Sequence, residues 1–489
     1  MDSHPPQLQG QKFGINYQNE EDENSPLLSL PIISSSDHGP NKTTPHAEQY
    51  SDDESAFSTF SSQVSHHKVP VGFTAINLAN DVISISLVSA PYFFYSGGIY
   101  PICFILVALA IINSYTLDLV FRLCLRYRCK SLPEICERAM GKKGLYFALA
   151  AMFCYNMGVL IATLIGFNEY TTGLLDYWGG NVEGYDNDLV FFVGVAIIAP
   201  AAYLKNIAKF TITTNAAQIF LNASFLLMLA EFVRLICQHD NDNIPPPSNF
   251  VLQPSLLSAI SGISYLYCCH DLAFHVLYSL KEPTRSRWAV VRWAPQIVLA
   301  VTFLLLGLLG AFYFGNTQNI LSSMENSILV LITKILASLS LWLCIPYCVF
   351  MPRVVINTVL DNLQPHLASK TKENKLKRTA IHFGVTSSIL VVCTFIASAV
   401  DGLGVFVEFV GIAGLCISTI IPPLCLLLLS DDYVATRENK MAMFVLCIGG
   451  LLFIGGIISF AFPSTATTTI TIITTTTTTT TTTSINIFS

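Results

Sequence analysis

The sequence predicts an all-α polytopic membrane protein of about eleven transmembrane helices, and three observations lead there. First, the 489 residues are 52% hydrophobic and only 12% charged, with a mean hydropathy of +0.55. A soluble chain carries about 25% charged residues, so this one has too little polar surface to cover a water-exposed body. Second, apolar runs of span length recur, and roughly 20 such residues cross a bilayer core. Third, the positive charges sort to alternate loops, as the positive-inside rule requires of cytosolic segments.

In chain order, residues 1–70 form an acidic tail rich in Ser, Asp, Glu, His and Pro. It has too few apolar residues for a core and is expected to be disordered and cytosolic. It has no signal-peptide pattern, so the first span serves as the targeting signal. The apolar segments follow at about 71–96, 100–121, 145–172, 189–204 and 211–236, then 255–279, 289–314, 327–350, 379–399 and 403–429, with an eleventh at 441–462. This sets a transmembrane domain over 71–462, with spans 1–5 at 71–236, spans 6–10 at 255–429 and span 11 at 441–462. Residues 463–489 are uncharged and threonine-rich, a low-complexity tail on the non-cytosolic side.

With the N-terminus inside, the loops after spans 2, 4, 6, 8 and 10 face the cytosol. The first carries Arg122, Arg126, Arg128, Lys130, Arg138, Lys142 and Lys143. The others hold Lys205 and Lys209, then Lys281, Arg285, Arg287 and Arg292, then a group from Arg353 to Arg378, then Arg437 and Lys440. With Lys12, Lys42 and Lys68 of the tail, they account for 24 of the 26 Lys and Arg. A shift of one span would destroy this pattern. Arg234 is read as snorkelling from the end of span 5, and Lys334 lies within span 8.

Ionisable residues inside spans are costly and usually face a cavity or a partner. Asp118, Glu169, Glu231 and Glu408 fall near span ends, where an interfacial role is expected. Asp81, the His270–Asp271 pair and Lys334 are deeper. Span 1 concentrates Asn77, Asn80, Asp81, Ser84, Ser86, Ser89 and Pro91. Serines compete for backbone hydrogen bonds and proline removes a donor, so a break is expected there. Span 6 repeats the pattern with Ser261, Gly262, Ser264, Tyr265, Cys269, His270 and Asp271. Four helices separate the two, which is the spacing of a five-plus-five inverted repeat, and interrupted segments at matching positions point to a transport site. The alternatives are polar side chains that glue helices together and a satisfied interior histidine. Adjacent side chains on a helix point about 100° apart, so His270 and Asp271 need not meet.

The chain lacks the Walker, HExxH, GxSxG and paired CxxC patterns, so it is not read as an enzyme or an ATP-driven pump. No metal site, nucleic-acid partner or cofactor is expected. The 14 cysteines sit mostly in apolar runs and basic loops and are read as packing residues without disulfides. In the tail, Glu23-Asn-Ser-Pro-Leu27-Leu28 has the acidic dileucine spacing read by endosomal clathrin adaptors. That favours an endolysosomal or vacuolar membrane, with the plasma membrane as the alternative.

Three stretches together resemble the amino acid/auxin permease family, nearest its sodium-coupled neutral amino acid branch and related vacuolar transporters. They are Asn80 through Pro91-Tyr92, Cys269-His270 with Tyr278-Ser-Leu-Lys-Glu-Pro-Thr284, and Leu403 through Gly411 running on to Ile421-Pro422-Pro423. The resemblance implies an APC superfamily-like fold with broken helices 1 and 6. It also implies a secondary active transporter moving amino acids, neutral ones foremost, with Na⁺ or H⁺ as the coupling ion. The polar breaks of spans 1 and 6 themselves nominate Asn77, Asp81, Ser84, Ile85, Ser86, Tyr265, Cys269, His270 and Asp271 for substrate contacts. The cation-coupling residues that the resemblance implies by position are Asn80 and Thr333, with Lys334 beside Thr333. Relatives carry Gly-Ser-Gly where this chain has Ser84-Ile85-Ser86. That departure and the long tail motivate an alternative function, a transceptor that senses an amino acid and signals through residues 1–70.

Overall fold

A computed structural model describes residues 69–461, apart from residues 83, 130, 178–186, 205–210, 239–252, 254, 282–283, 326, 364–371, 401 and 431–436. The acidic tail, with Glu23, Leu27 and Leu28, and the threonine tail lie outside the described residues. The described residues are helical throughout, apart from short connections and one isolated backbone bridge between Val69 and Leu280.

Span 1 is broken. A helix Val71–Val82 stops, Ser84 is extended (φ −124°, ψ 167°), and a 3₁₀ turn Ile85–Ser89 leads into a second helix, Ala90–Gly97. Span 6 breaks likewise between Leu256–Tyr267 and Ala273–Ser279. Spans 2, 3, 4 and 5 are Ile99–Tyr127, Lys142–Tyr177, Asn187–Ala202 and Thr211–Gln238. Spans 7, 8 and 9 are Arg285–Phe314, Ile328–Leu363 and Lys372–Ala399. Span 10 runs Leu403–Leu415, widens to a π-turn at Cys416–Ile420 and resumes as Ile421–Leu429. The π-turn precedes Pro422-Pro423, where two missing amides make regular α hydrogen bonding impossible. Span 11 is Arg437–Ala461. Eight of these helices are individually long and apolar enough to cross a membrane. Span 4 is short, and spans 1 and 6 are cut by their breaks, which brings the number to the eleven expected.

The packing carries the inverted repeat. Span 3 packs on span 10 and span 8 on span 5; span 7 packs on span 1 and span 2 on span 6; span 9 packs on span 3 and span 4 on span 8. Adding or subtracting five span numbers turns each contact into its partner. An odd offset also reverses the direction in which a span crosses the bilayer, so the two halves are inverted copies. Outward-facing side chains form apolar stripes, such as Phe104, Val107 and Ile111 on span 2. Spaced by three and four residues, they suit contact with lipid.

Two sequence readings are corrected. Arg353 does not lie in a cytosolic loop. Span 8 continues more than three turns beyond its predicted end, to Leu363, and Arg353 is 1% exposed on it. Its guanidinium donates to Ala202 O at 2.6 Å, Leu204 O at 2.7 Å and Thr386 Oγ1 at 3.2 Å. It thereby caps the carbonyls that span 4 leaves unpaired at its end. The second correction concerns acids near span ends, which face protein rather than the membrane interface. Asp118 is buried and bridges Arg122 at 3.2 Å and Arg292 at 3.1 Å, and Arg122 reaches Glu438 of span 11 at 2.8 Å. Glu231 is buried against Arg234 and Ser327, and Glu169 binds Asn319 of the loop after span 7.

Candidate functional site

Where the breaks of spans 1 and 6 meet spans 3 and 8, a cavity of about 110 Å³ opens, room for a few waters of about 30 Å³ each. Ser84 enters it from span 1, and Tyr265, Cys268, Cys269 and Asp271 from span 6. Tyr155, Asn156 and Val159 of span 3 form the opposite wall, with Tyr347, Cys348 and Met351 of span 8. A break is needed here because an intact helix would present no backbone polar groups to a ligand.

The span 6 break is held open by a specific clamp. The helix Leu256–Tyr267 closes with the Cys268 amide on Tyr265 O at 3.3 Å, and the Tyr155 hydroxyl donates to Cys268 O at 2.9 Å and stands 3.1 Å from Tyr265 O. The Tyr155 and Tyr265 rings lie 5.6 Å apart, so the clamp is also packed. On the far side of the break, Asp271 Oδ1 accepts the Leu272 amide at 3.0 Å, just ahead of the helix Ala273–Ser279. Asp271 thus satisfies the amide that leads into this helix while its carboxyl lines the cavity beside Asn156. Tyr155→Phe removes the donor and leaves a buried carbonyl underpaired, a loss of about 1–3 kcal/mol. The expected result is a lowered melting temperature in detergent together with slower substrate uptake. Wild-type values on both measures would rule the clamp out.

His270 and Asp271 part company. His270 is fully buried and meets Thr116 of span 2, with Nε2 2.9 Å from Thr116 Oγ1. The single Thr116 hydrogen is directed at Ile112 O and Asn113 O, both at 3.1 Å. His270 Nε2 is therefore the donor in that pair, on this reading of the tautomer. The histidine braces span 6 against span 2 and does not line the cavity, while its neighbour does.

Of the other residues read from the sequence, Ser84, Tyr265 and Cys269 join Asp271 around the cavity. Ser86 is fully buried behind it. Asn77, Asn80 and Asp81 sit on the helix Val71–Val82 and Ile85 opens the 3₁₀ turn, and their side chains lie outside the described residues. Thr333 and Lys334 are buried but do not reach the cavity. Thr333 bonds Leu329 O within its own helix at 2.8 Å. Cys348, which does line the cavity, is fifteen residues further along span 8, or about 22 Å at the helical rise. Lys334 lies instead near the C-terminal end of span 3, its Nζ against Gly173, with Asp176 as its electrostatic partner. Among the described residues no group of three His, Cys, Asp or Glu side chains is placed to hold a metal ion.

Sequence reasoning missed Tyr155, Asn156, Tyr347 and Cys348. The signal available was an adjacent Tyr-Asn pair in the apolar run of span 3 and the Pro346-Tyr347 step in span 8.

Comparison with known proteins agrees with this architecture. Residues 67–462 match the family described as "Transmembrane amino acid transporter protein". A protein of Rattus norvegicus named as sodium-coupled neutral amino acid transporter 11 is 23% identical over 399 residues, covering 78% of this chain and 83% of that one. The vacuolar amino acid transporter 2 of Saccharomyces cerevisiae is 21% identical over 394 residues, covering 78% and 80%. Among solved structures, the inward-facing conformation of Mhp1 superposes with a TM-score of 0.51 at 13% identity, covering 83% of this chain and 92% of that one. That likeness concerns the fold.

Proposed function

The chain belongs to the family of transmembrane amino acid transporter proteins, and from that premise we propose that it is a secondary active transporter of neutral amino acids. The observation that carries this is the cavity at the paired breaks, with a carboxyl side chain, Asp271, in its wall. An amino acid presents an ammonium and a carboxylate on one carbon. Asp271 supplies the counter-charge for the ammonium, in a setting where a charge-assisted hydrogen bond is strong. Ser84, at the break of span 1, faces the carboxylate end. The remaining wall, Val159, Leu266, Leu272 and Met351, is apolar and suits an uncharged side chain.

Transport is driven by Na⁺ or H⁺, a reading supported by the lack of a Walker pattern in the sequence. The compartment we propose is an endolysosomal or vacuolar membrane, addressed by Glu23, Leu27 and Leu28 through clathrin adaptors. Uptake of labelled neutral amino acids by proteoliposomes, with and without Na⁺ and pH gradients, tests the transport reading. Gradient-stimulated accumulation is expected. No stimulation of any amino acid by either gradient would sink it.

A further inference from the structure

Glu408 is a buried carboxyl that the central cavity does not use. It lies on span 10, 4% exposed, where span 10 packs against both broken helices. Ser258 of span 6 donates to its Oε2 at 2.8 Å, and the Tyr92 hydroxyl of span 1 stands 3.5 Å from the same oxygen. Oε1 is buried and has no hydrogen-bond partner.

The surroundings hold nothing to balance a charge. The elements packed on this part of span 10 are span 1, the first half of span 6, span 3 and span 11. Residues 85–97, 256–267, 160–177 and 441–461 of these elements contain no Lys, Arg or His. Their titratable groups are tyrosines, one cysteine (Cys447) and two further acids, Glu169 and Asp176 of span 3. Glu169 is engaged with Asn319 and the Leu403 amide, and Asp176 lies by Lys334. An ionised carboxylate in membrane-embedded protein, with two neutral hydroxyls on one oxygen and none on the other, is not sustainable. The bare oxygen must carry something positive.

We propose that Glu408 Oε1 is a proton-binding site, separate from the substrate cavity, whose occupancy couples transport to a pH gradient. This rests on the transport reading above and adds to it the ion and the residue that carries it. An O–H bond forms at Oε1 with a proton taken from water on the non-cytosolic side, and it breaks when the proton is released to water on the cytosolic side. Ser258 lies seven residues before Tyr265, which lines the cavity, on span 6, so the site is about 10 Å above the cavity toward the outer face. Tyr92 and Ser258 belong to the two helices that break, so a change at the carboxyl is felt directly by the segments that form the substrate site.

The test uses the full-length protein in proteoliposomes with a labelled mixture of neutral amino acids. One pH unit corresponds to a factor of about ten in driving force, so acid on the outer face should raise accumulation up to about tenfold in wild type. In Glu408→Gln, which keeps the shape and both hydroxyl contacts, accumulation should be about the same with and without the gradient, while exchange of internal for external amino acid persists. Undiminished acid stimulation in the variant overturns the proposal, as does loss of a Na⁺ response with the acid response intact. Infrared spectra of the purified protein provide a readout independent of transport. Wild type should show a protonated-carboxyl stretch that Glu408→Gln lacks, and identical spectra overturn the site. Failure of wild type to accumulate any amino acid instead sinks the transport reading, and the infrared comparison then decides Glu408 alone. If Glu408→Gln does not fold, Ser258→Ala removes the 2.8 Å donor and must move the pH midpoint of uptake; an unmoved midpoint overturns the proposal.

Discussion

Asp271→Asn is expected to lower gradient-driven uptake by about 100-fold or more while leaving the fold intact. The asparagine is nearly isosteric and its oxygen can still accept the Leu272 amide, now bonded at 3.0 Å. That hydrogen bond is therefore retained. What disappears is the negative charge in the cavity wall. Truncating one side of a buried, hydrogen-bonded charge pair costs about 2–5 kcal/mol, and each 1.4 kcal/mol is about tenfold in affinity. The loss should appear chiefly as weaker substrate binding, with a melting temperature in detergent close to that of wild type. His270→Gln is the companion variant. Because His270 faces Thr116 and not the cavity, it should lower stability more than it changes substrate affinity. Wild-type uptake by Asp271→Asn would show that the ammonium finds its counter-charge elsewhere, with Asp81 the next carboxyl to examine.

The fold was readable because its signals are cumulative. Apolar runs repeat eleven times, and alternate loops share one sign of charge, so a misjudged boundary costs little. The breaks were readable for a different reason. Ser84, Ser86, Ser89 and Pro91, and then Ser264 through Asp271, compete with regular helix at matching positions in the two halves. The partners across the cavity were not readable. Tyr155, Tyr347 and Cys348 fit apolar runs as packing residues, and only the third dimension shows their polar atoms meeting a broken helix. Helix phase separates His270 from Asp271, and sequence adjacency hides that. Helix length misplaced Arg353, because nothing in the sequence stops span 8 where the bilayer core ends. Glu408 looked interfacial since it is five residues from the start of span 10, yet span ends also pack against protein. Thr333 and Lys334 show the limit of matching by position alone: a few turns of helix carry a side chain some 20 Å from the level of the site.

Gly411→Val should be the most damaging single change to assembly. Spans 6 and 10 approach so closely that a Cβ on Gly411 would overlap the carbonyl oxygen and carbon of Ser261. These are backbone atoms, so no rotamer change can relieve the overlap, and the two helices must separate. Overpacking a core ordinarily costs about 1–3 kcal/mol through side-chain adjustment; with backbone as the obstacle, at least about 3 kcal/mol is expected. Size-exclusion profiles of fluorescently tagged protein should lose most of the monodisperse peak. Gly414→Ala, one turn away, is the control, because its Cβ would meet nothing nearer than 3.4 Å and should be accepted with little loss. The same helix, Leu256–Tyr267, carries Ser258 at the buried carboxyl and Tyr265 at the cavity. If a milder substitution, Gly411→Ala, yields folded protein, its spans 6 and 10 will be spread apart. Both sites should then be disturbed together, with weaker substrate binding and a shifted pH dependence in the same molecule. A variant at Gly411 that keeps the wild-type profile and both functions would mean that the close approach of spans 6 and 10 is not what holds the two sites in register.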